Sequence, residues 1–280
     1  MRYSLLPDRG LLAISGDDAI DFLQGLVSND VRKLSTGHLV YAALLSPQGK
    51  FLHDFFLTKS DDKILIDCEK SRLPDLLARL NLYKLRSKVT ISTLPDSQGV
   101  IAAWGSKESA PAIADPRLPQ LGFRLVGDVA DIGAKCHGLC WKIATPAEYD
   151  HMRLELGVPD GSRDLIVDKT FLLEAHFEEL HGVDFNKGCY VGQEVTARSK
   201  FRGQVRKSLY KIETSGSTLP EPGTKVTFGE MEAGEIRSHQ GNIGLAMLRI
   251  EIVATANGVL QAAGQKITAI VPAWAKAIMD

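Results

Sequence analysis

The chain has 280 residues, 44% hydrophobic and 24% charged, with a formal net charge of −1 at pH 7. That length fits about two domains, and the near-neutral balance sets up no global field toward nucleic acid or an acidic membrane surface. Four irregularly spaced cysteines (Cys68, Cys136, Cys140, Cys189) exclude a small secreted disulfide scaffold, and no run reaches the roughly 18 apolar residues of a membrane span.

Gly10–Ser15 reads as a short apolar strand. It leads into a helix predicted from Asp17 to Leu34, with Ala19, Phe22, Leu23, Leu26 and Val27 on one face and Ser15 or Asp17 as the cap. A meander follows, Leu39–Leu45, Lys50–Thr58 and Lys63–Cys68, its first turn carrying Pro47 and Gly49 and its second Asp61 and Asp62. Ser71 opens a helix bearing Leu73, Leu76, Leu77 and Leu80, and Lys88–Leu94 reads as the next strand. This order predicts an α+β architecture with helices on one side of a mostly antiparallel sheet. Val100–Trp104 and Gly122–Val126 are strand candidates around a loop with Pro111, Pro116 and Pro119. Thr145-Pro146-Ala147-Glu148 combines an N-cap, a proline at the first helical position and a capping-box carboxylate, so a helix runs to about Leu156, stopped by Gly157 and Pro159. A short helix is expected at Thr170–Leu180. Beyond it, Lys207–Glu213, Lys225–Phe228, Glu232–Ser238, Asn242–Leu248 and Lys266–Val271 alternate between Gly-rich turns, as in a small antiparallel barrel. The expected division is 1–207 and 208–280.

The chemistry concentrates at Lys187-Gly188-Cys189-Tyr190-Val191-Gly192-Gln193-Glu194. Glycine in such a setting marks positive φ or close approach of a ligand. Lys187, Arg198, Lys200, Arg202, Arg206 and Lys207 are set against Asp184 and Glu194, and a helix is expected from Glu194. Cations and a helix N-terminus favour a thiolate, so Cys189 reads either as a partly exposed reactive thiol or as a small buried cysteine in a tight turn. Cys136-His137-Gly138-Leu139-Cys140 lacks the second ligand pair of a zinc site and reads as strand residues near a loop. Cys68 reads as strand core, and the cysteine spacings match no iron–sulfur cluster pattern, so no stably bound metal is expected. Asp54, beside His53 and amid Phe51, Leu52, Phe55 and Phe56, is either a general base in a pocket or the polar residue of an alternating strand. Without aromatic interleaving, the basic tract from Arg198 to Lys207 is not a nucleic-acid site. Phosphate-loop, dinucleotide and nucleophile-elbow motifs are absent. Met1 to Gly16 resembles neither a secretory leader nor a transit peptide, so the expected compartment is reducing and cytoplasmic.

Lys187–Glu194 resembles the K-G-C-Y-x-G-Q-E signature of the YgfZ family, folate-binding iron–sulfur cluster maturation proteins related to the aminomethyltransferase of the glycine cleavage system. The similarity extends to Arg153–Pro159, Thr196–Gly203 and the Gly16–Asp30 run, and so covers nearly the whole chain. The resemblance implies a three-lobed, ring-like α+β fold with a ferredoxin-like lobe and a C-terminal β-barrel. It also implies tetrahydrofolate as cofactor and iron–sulfur client or assembly proteins as partners. The resemblance makes its motif residues Cys189 and Lys187 catalytic candidates, together with Asp54, which falls where aminomethyltransferases hold their catalytic aspartate. Tyr149, Gln193, Arg198 and Arg202 are its candidate folate contacts, an aromatic face for the pterin and guanidiniums for the glutamate tail. The leading expectation is a [4Fe–4S] assembly or repair factor with Cys189 as key thiol. A folate-dependent one-carbon transferase using Asp54, or a non-catalytic folate-binding scaffold, remains open.

Overall fold

A computed structural model describes residues 1–105, 112–203 and 205–275; Pro111 of the predicted proline-rich loop lies outside the described residues. The chain divides into two compact units. The first comprises Met1–Gln48, Leu52–Tyr149 and Leu180–Gln193; the second comprises Gly49–Phe51, Asp150–Glu179 and Glu194–Asp280.

In the first unit the predicted meander forms as Leu39–Leu45, Phe51–Ser60 and Lys63–Glu69. It belongs to a five-stranded sheet, completed by Arg9–Ser15 and the edge strand Thr90–Thr93, shorter than the expected Lys88–Leu94. Side chains alternate across a strand, so each strand serves two layers. Leu12, Ile14, Val40, Phe55, Leu57, Ile66 and Cys68 face one side, where Phe22, Leu23, Leu76 and Leu80 complete a core. Burial pushes the Cys68 thiol up to about 12, as a core cysteine requires.

The helices differ from expectation. The first spans Ala19–Gln24, not Asp17–Leu34. Beyond Gly25 the backbone turns to the sheet, where Val27 bridges Leu44 and the Ser28 N–H donates to Ala43 O at 2.9 Å. A 3₁₀ turn, Val31–Lys33, follows under an Asp30 cap. Neither Ser15 nor Asp17 caps the first helix: Asp18 holds the cap position, and its carboxylate accepts from the Lys88 N–H at 2.6 Å. The second helix, Leu73–Lys84, starts at Arg72, while Ser71 bonds back to Glu69.

A second sheet in this unit runs Lys142–Ile143, Arg2–Leu5, Gln98–Trp104, Phe123–Asp128, Ile113–Ala114. Its Ile101, Ala103 and Leu125 pack against Cys136, which lies on a helix, Val129–Gly138, rather than on the expected strand. Asp128 caps that helix by accepting from the Ala130 and Asp131 N–H groups, a start signal obscured by the apolar strand that runs directly into it and by Gly127 and Gly133 on either side. Cys140 ends up exposed at φ +56°.

The capping box at Thr145 forms as read: the Thr145 hydroxyl accepts from the Glu148 N–H, and the Glu148 carboxylate accepts from the Thr145 N–H. The helix is Pro146–Leu156, and Gly157 takes φ +74°. The expected Thr170–Leu180 helix is a single 3₁₀ turn, Leu172–Ala175, ended by His176 in the left-handed region.

The second unit contains a closed antiparallel barrel in the order Lys207–Thr214, Ile243–Arg249, Met231–Gln240, Lys225–Phe228, Val259–Ala262, Gln265–Ile270. Ile212, Val226, Ile236, Leu248, Leu260 and Ile267 fill its interior. The strand Val259–Ala262 and the helix Ile250–Thr255 were not predicted. The closing strand has exposed Val259 and Gln261 alternating with buried Leu260 and Ala262, a pattern too short to stand alone. Below the barrel wall, Arg153 is fully committed: Nη1 donates to Asp164 and to Val158 O, Nη2 to Ser238, and Nε to Asp150.

Candidate functional site

Asp54 sits on the Phe51–Ser60 strand, buried, and alternation places it on the face opposite Phe55 and Leu57. The Tyr41 hydroxyl, on the neighbouring strand, donates to its carboxylate at 2.9 Å. Burial, then the Asp54 charge, holds the Tyr41 phenol well above its ordinary range, so it remains a donor. Tyr41 stacks on Phe56 with ring centroids 4.9 Å apart. Asp54 thus has the partner that a carboxylate on an apolar strand requires.

Around Phe56 lies a buried layer of charge. Arg9 Nε donates to Asp67 at 2.6 Å, and Arg124, from the second sheet, donates to the other Asp67 oxygen at 2.6 and 3.1 Å. Arg117 forms a two-pronged pair with Asp115 at 2.8 and 3.0 Å. Guanidiniums of Arg124, Arg117 and Arg9 stand 4.0, 4.8 and 5.7 Å from the Phe56 ring centre, the electrostatically favourable geometry for a cation over a π face. Burial pushes the Asp115 carboxyl up, but the Arg117 and Arg124 charges outweigh it and hold it below the usual carboxylate range. Arg117 also donates to the Tyr149 hydroxyl at 3.3 Å, and Tyr149 meets Trp104 edge-on at 5.5 Å. Asp54 and Tyr149, far apart in sequence, therefore belong to one buried polar and aromatic layer through Tyr41, Phe56 and Arg117.

His53 points the other way. Its Nε2 lies 2.8 Å from Asp75 on the second helix. Burial, with Arg72 nearby, pushes its pKa down to about 4. It is a neutral link between strand and helix and takes no part in the Asp54 layer.

Cys189 is exposed, which excludes the buried-turn reading. Its loop belongs to the first unit and is tied to the segment after the first helix. Ser28 Oγ donates to Gly182 O at 2.6 Å, Asn29 Nδ2 to His181 O at 2.7 Å, and Lys33 pairs with Asp184 at 2.6 Å. Lys187 is buried, and its ammonium donates to Gln24 O at 2.8 Å and Val27 O at 2.5 Å. Burial pushes its pKa down to about 8 against the pull of Asp30 and Asp184. Gln193 begins the helix Gln193–Phe201, and its N–H donates to Tyr190 O.

Arg198 and Arg202 lie in the second unit. Arg198 pairs with Glu194 one turn earlier at 2.8 Å, and both are largely exposed; Arg202 is exposed just past the helix end. The basic tract is not a uniform cationic face. Lys200 pairs with Glu178, and a cleft of about 870 Å³ sets Lys200 and Arg206 among Glu178, Glu179 and Glu251.

Sequence reasoning missed Tyr41, Arg117 and the Arg9–Asp67–Arg124 ladder. One signal was available: Asp67, like Asp54, is an acid inside an otherwise apolar strand, Lys63–Glu69. Arg117, in a proline-rich loop, carries no periodic signal.

Residues 9–113 match the GCVT N-terminal domain family, and residues 206–277 match the family described as CAF17, C-terminal beta-barrel domain. The chain is 34% identical, over 90% of its length and 74% of the relative's, to the mitochondrial iron–sulfur cluster assembly factor IBA57 homolog of Mycosarcoma maydis. It is 33% identical, over 96% of its length and 84% of the relative's, to the mitochondrial human factor of that name. The glycine cleavage system aminomethyltransferase T of Bartonella henselae superposes with a TM-score of 0.77 at 15% identity, covering 98% of this chain and 86% of that one. The aminomethyltransferase-like α+β fold with a C-terminal barrel is thereby established. The cytoplasmic expectation is overturned, because these relatives are named mitochondrial. Compartment is written in cleavable address segments, to which the packing of a folded domain is indifferent.

Proposed function

Because the chain belongs to the IBA57 family of iron–sulfur cluster assembly factors, which is related to YgfZ, we propose that it serves the maturation of [4Fe–4S] client proteins with Cys189 as the working thiol. The observation that carries this reading is the placement of Cys189. It is exposed on a loop tethered to the segment after the first helix, while Cys68 and Cys136 are buried in the cores of their sheets and Cys140, also exposed, lies outside the motif just past a helix end. A cluster takes several thiolate or imidazole ligands; Cys189 supplies one to the cargo, and the client or a partner supplies the rest.

Tetrahydrofolate is the cofactor this reading assigns. The donor set of the first unit fits a pterin: a buried carboxylate, Asp54, to accept from an amino edge, and aromatic side chains beside it. When bound, the folate supplies a one-carbon carrier. The chain's own residues orient it, with Tyr41 fixing the Asp54 carboxylate and Arg117 fixing the Tyr149 hydroxyl.

The test is complementation of a deletion strain with the Cys189→Ala protein. The expected outcome is loss of [4Fe–4S] enzyme activity with folding and folate binding retained. The Tyr41–Asp54 contact favours one competing reading, a folate-dependent one-carbon transferase with Asp54 as base. If Asp54→Asn abolishes function and Cys189→Ala does not, the transferase reading replaces the first.

A further inference from the structure

The two glycines bracketing Cys189 have different reasons to be glycine. Gly192 takes φ +82°, where a side chain is strained. Gly188 is outside that region, is exposed, and a Cβ built on it meets nothing within 4 Å. The fold itself therefore does not demand a glycine at 188. Gly188 and Cys189 form a two-residue exposed arch whose ends, Lys187 and Tyr190, are both buried.

The ends are fastened to one place. The Lys187 ammonium bonds to the carbonyls of Gln24 and Val27, at and just beyond the C-terminal end of the first helix, where the helix dipole favours a cation. It also stands 4.9 Å from the centre of the Tyr190 ring. Val191 packs against the core that holds Phe22, Leu23 and Val27. To react, the lysine would have to abandon two carbonyls in a buried setting, each of which then lacks a donor.

We propose that Lys187 is a positioning residue, not a reacting group: its ammonium clamps the Gly188–Cys189 arch to the end of the first helix, so that the thiol is presented at one place, and Gly188 leaves the clearance that a bulky cluster-bearing occupant needs. The proposal rests on the reading of Cys189 as a cluster ligand and adds to it how the ligand is held. The clamp and the clearance act on different steps. Without the clamp the thiol samples many positions; with a side chain at 188 the thiol stays in place but its approach is blocked.

The experiment uses the full chain carrying Cys140→Ser, to remove the other exposed thiol, with a nitroxide label on Cys189. With Lys187 in place, the spectrum should show one immobilised component. Lys187→Met should shorten the label's correlation time about threefold, as for release of a loop, with circular dichroism and the barrel unchanged. Gly188→Ala, unlabelled and with Cys189 intact, should keep the wild-type melting temperature yet complement a deletion strain no better than Cys189→Ser. Labelled, it should remain immobilised. An equally immobilised label in Lys187→Met overturns the clamp, and full complementation by Gly188→Ala overturns the clearance. If Lys187→Met does not fold, the label on Cys189 with Lys187 in place decides the clamp, a freely mobile spectrum overturning it, and the Gly188→Ala proteins still decide whether space beside the thiol matters. Full complementation by Cys189→Ser would sink the cluster-ligand reading, while the label spectra would still report on the clamp.

Discussion

Two places in the first unit carry the candidate chemistry, and they are built in opposite ways. The Asp54 layer is interior: carboxylates, guanidiniums and aromatic rings lock one another between two sheets. The Cys189 arch is exterior, held at its ends and open between them. In a low-dielectric interior each charge depends on its partner, so chemistry and stability cannot be altered separately. At the arch the functional group is detached from the fold's energetics. Stability and function should therefore respond in opposite order to substitution.

The largest stability effect is expected from Arg124→Ala, which strips Asp67 and Asp115 of a shared cation in the interior. Breaking one side of a buried pair costs about 3–5 kcal/mol, measurable by urea denaturation. An effect no larger than that of a surface substitution would mean that the layer is wetter than its burial implies. Next is acid sensitivity through His53. Its pKa lies at about 4 in the folded chain against an ordinary 6.5. Between those values the unfolded chain binds a proton that the native one refuses, so this group's contribution is complete above pH 6.5 and is lost as pH falls toward 4. The change is at most about 3 kcal/mol, and His53→Asn should flatten that part of the stability–pH curve. Asp54→Asn keeps an acceptor for Tyr41 and should cost about 1 kcal/mol; because Asp54 is the carboxylate assigned to the pterin, the same change should weaken tetrahydrofolate binding in a titration. The smallest effect is at Cys189→Ser, within about 0.5 kcal/mol, although iron–sulfur enzyme activity should be lost. A destabilisation as large as that of Arg124→Ala would erase the contrast between interior and arch.

Much of the scaffold could be read from local pattern. Strand alternation located the Asp54 strand and five of the six barrel strands; Thr145, Pro146, Glu148 and Gly157 bounded their helix, since each cap is a contact within a few residues. The first helix was overextended because Leu26 and Val27 continue an apolar face, yet their backbone pairs with Leu44 instead. The helix carrying Cys136 was missed because Gly133 and Gly138 interrupt its sequence and the Cys136–Cys140 stretch was read as strand; packing against Ile101 and Leu125 supports it. At the site, the motif singled out Cys189 and Lys187 together and implied similar roles. The structure separates them, one exposed and one buried with its ammonium on backbone carbonyls.

By itself, then, the sequence determined the periodic elements, the turn and cap chemistry, and the stretch where a thiol sits between glycines. These depend on neighbours a few residues apart. The tertiary structure alone decided which charges meet: Arg9 with Asp67, Arg124 with both Asp67 and Asp115, Tyr41 with Asp54, Lys187 with the carbonyls of Gln24 and Val27. Most of those pairings join residues tens of positions apart, and Lys187 reaches across more than half the chain. No local preference encodes them, because they form only when two sheets and a returning loop bring buried donors to acceptors that would otherwise be left without water or partner.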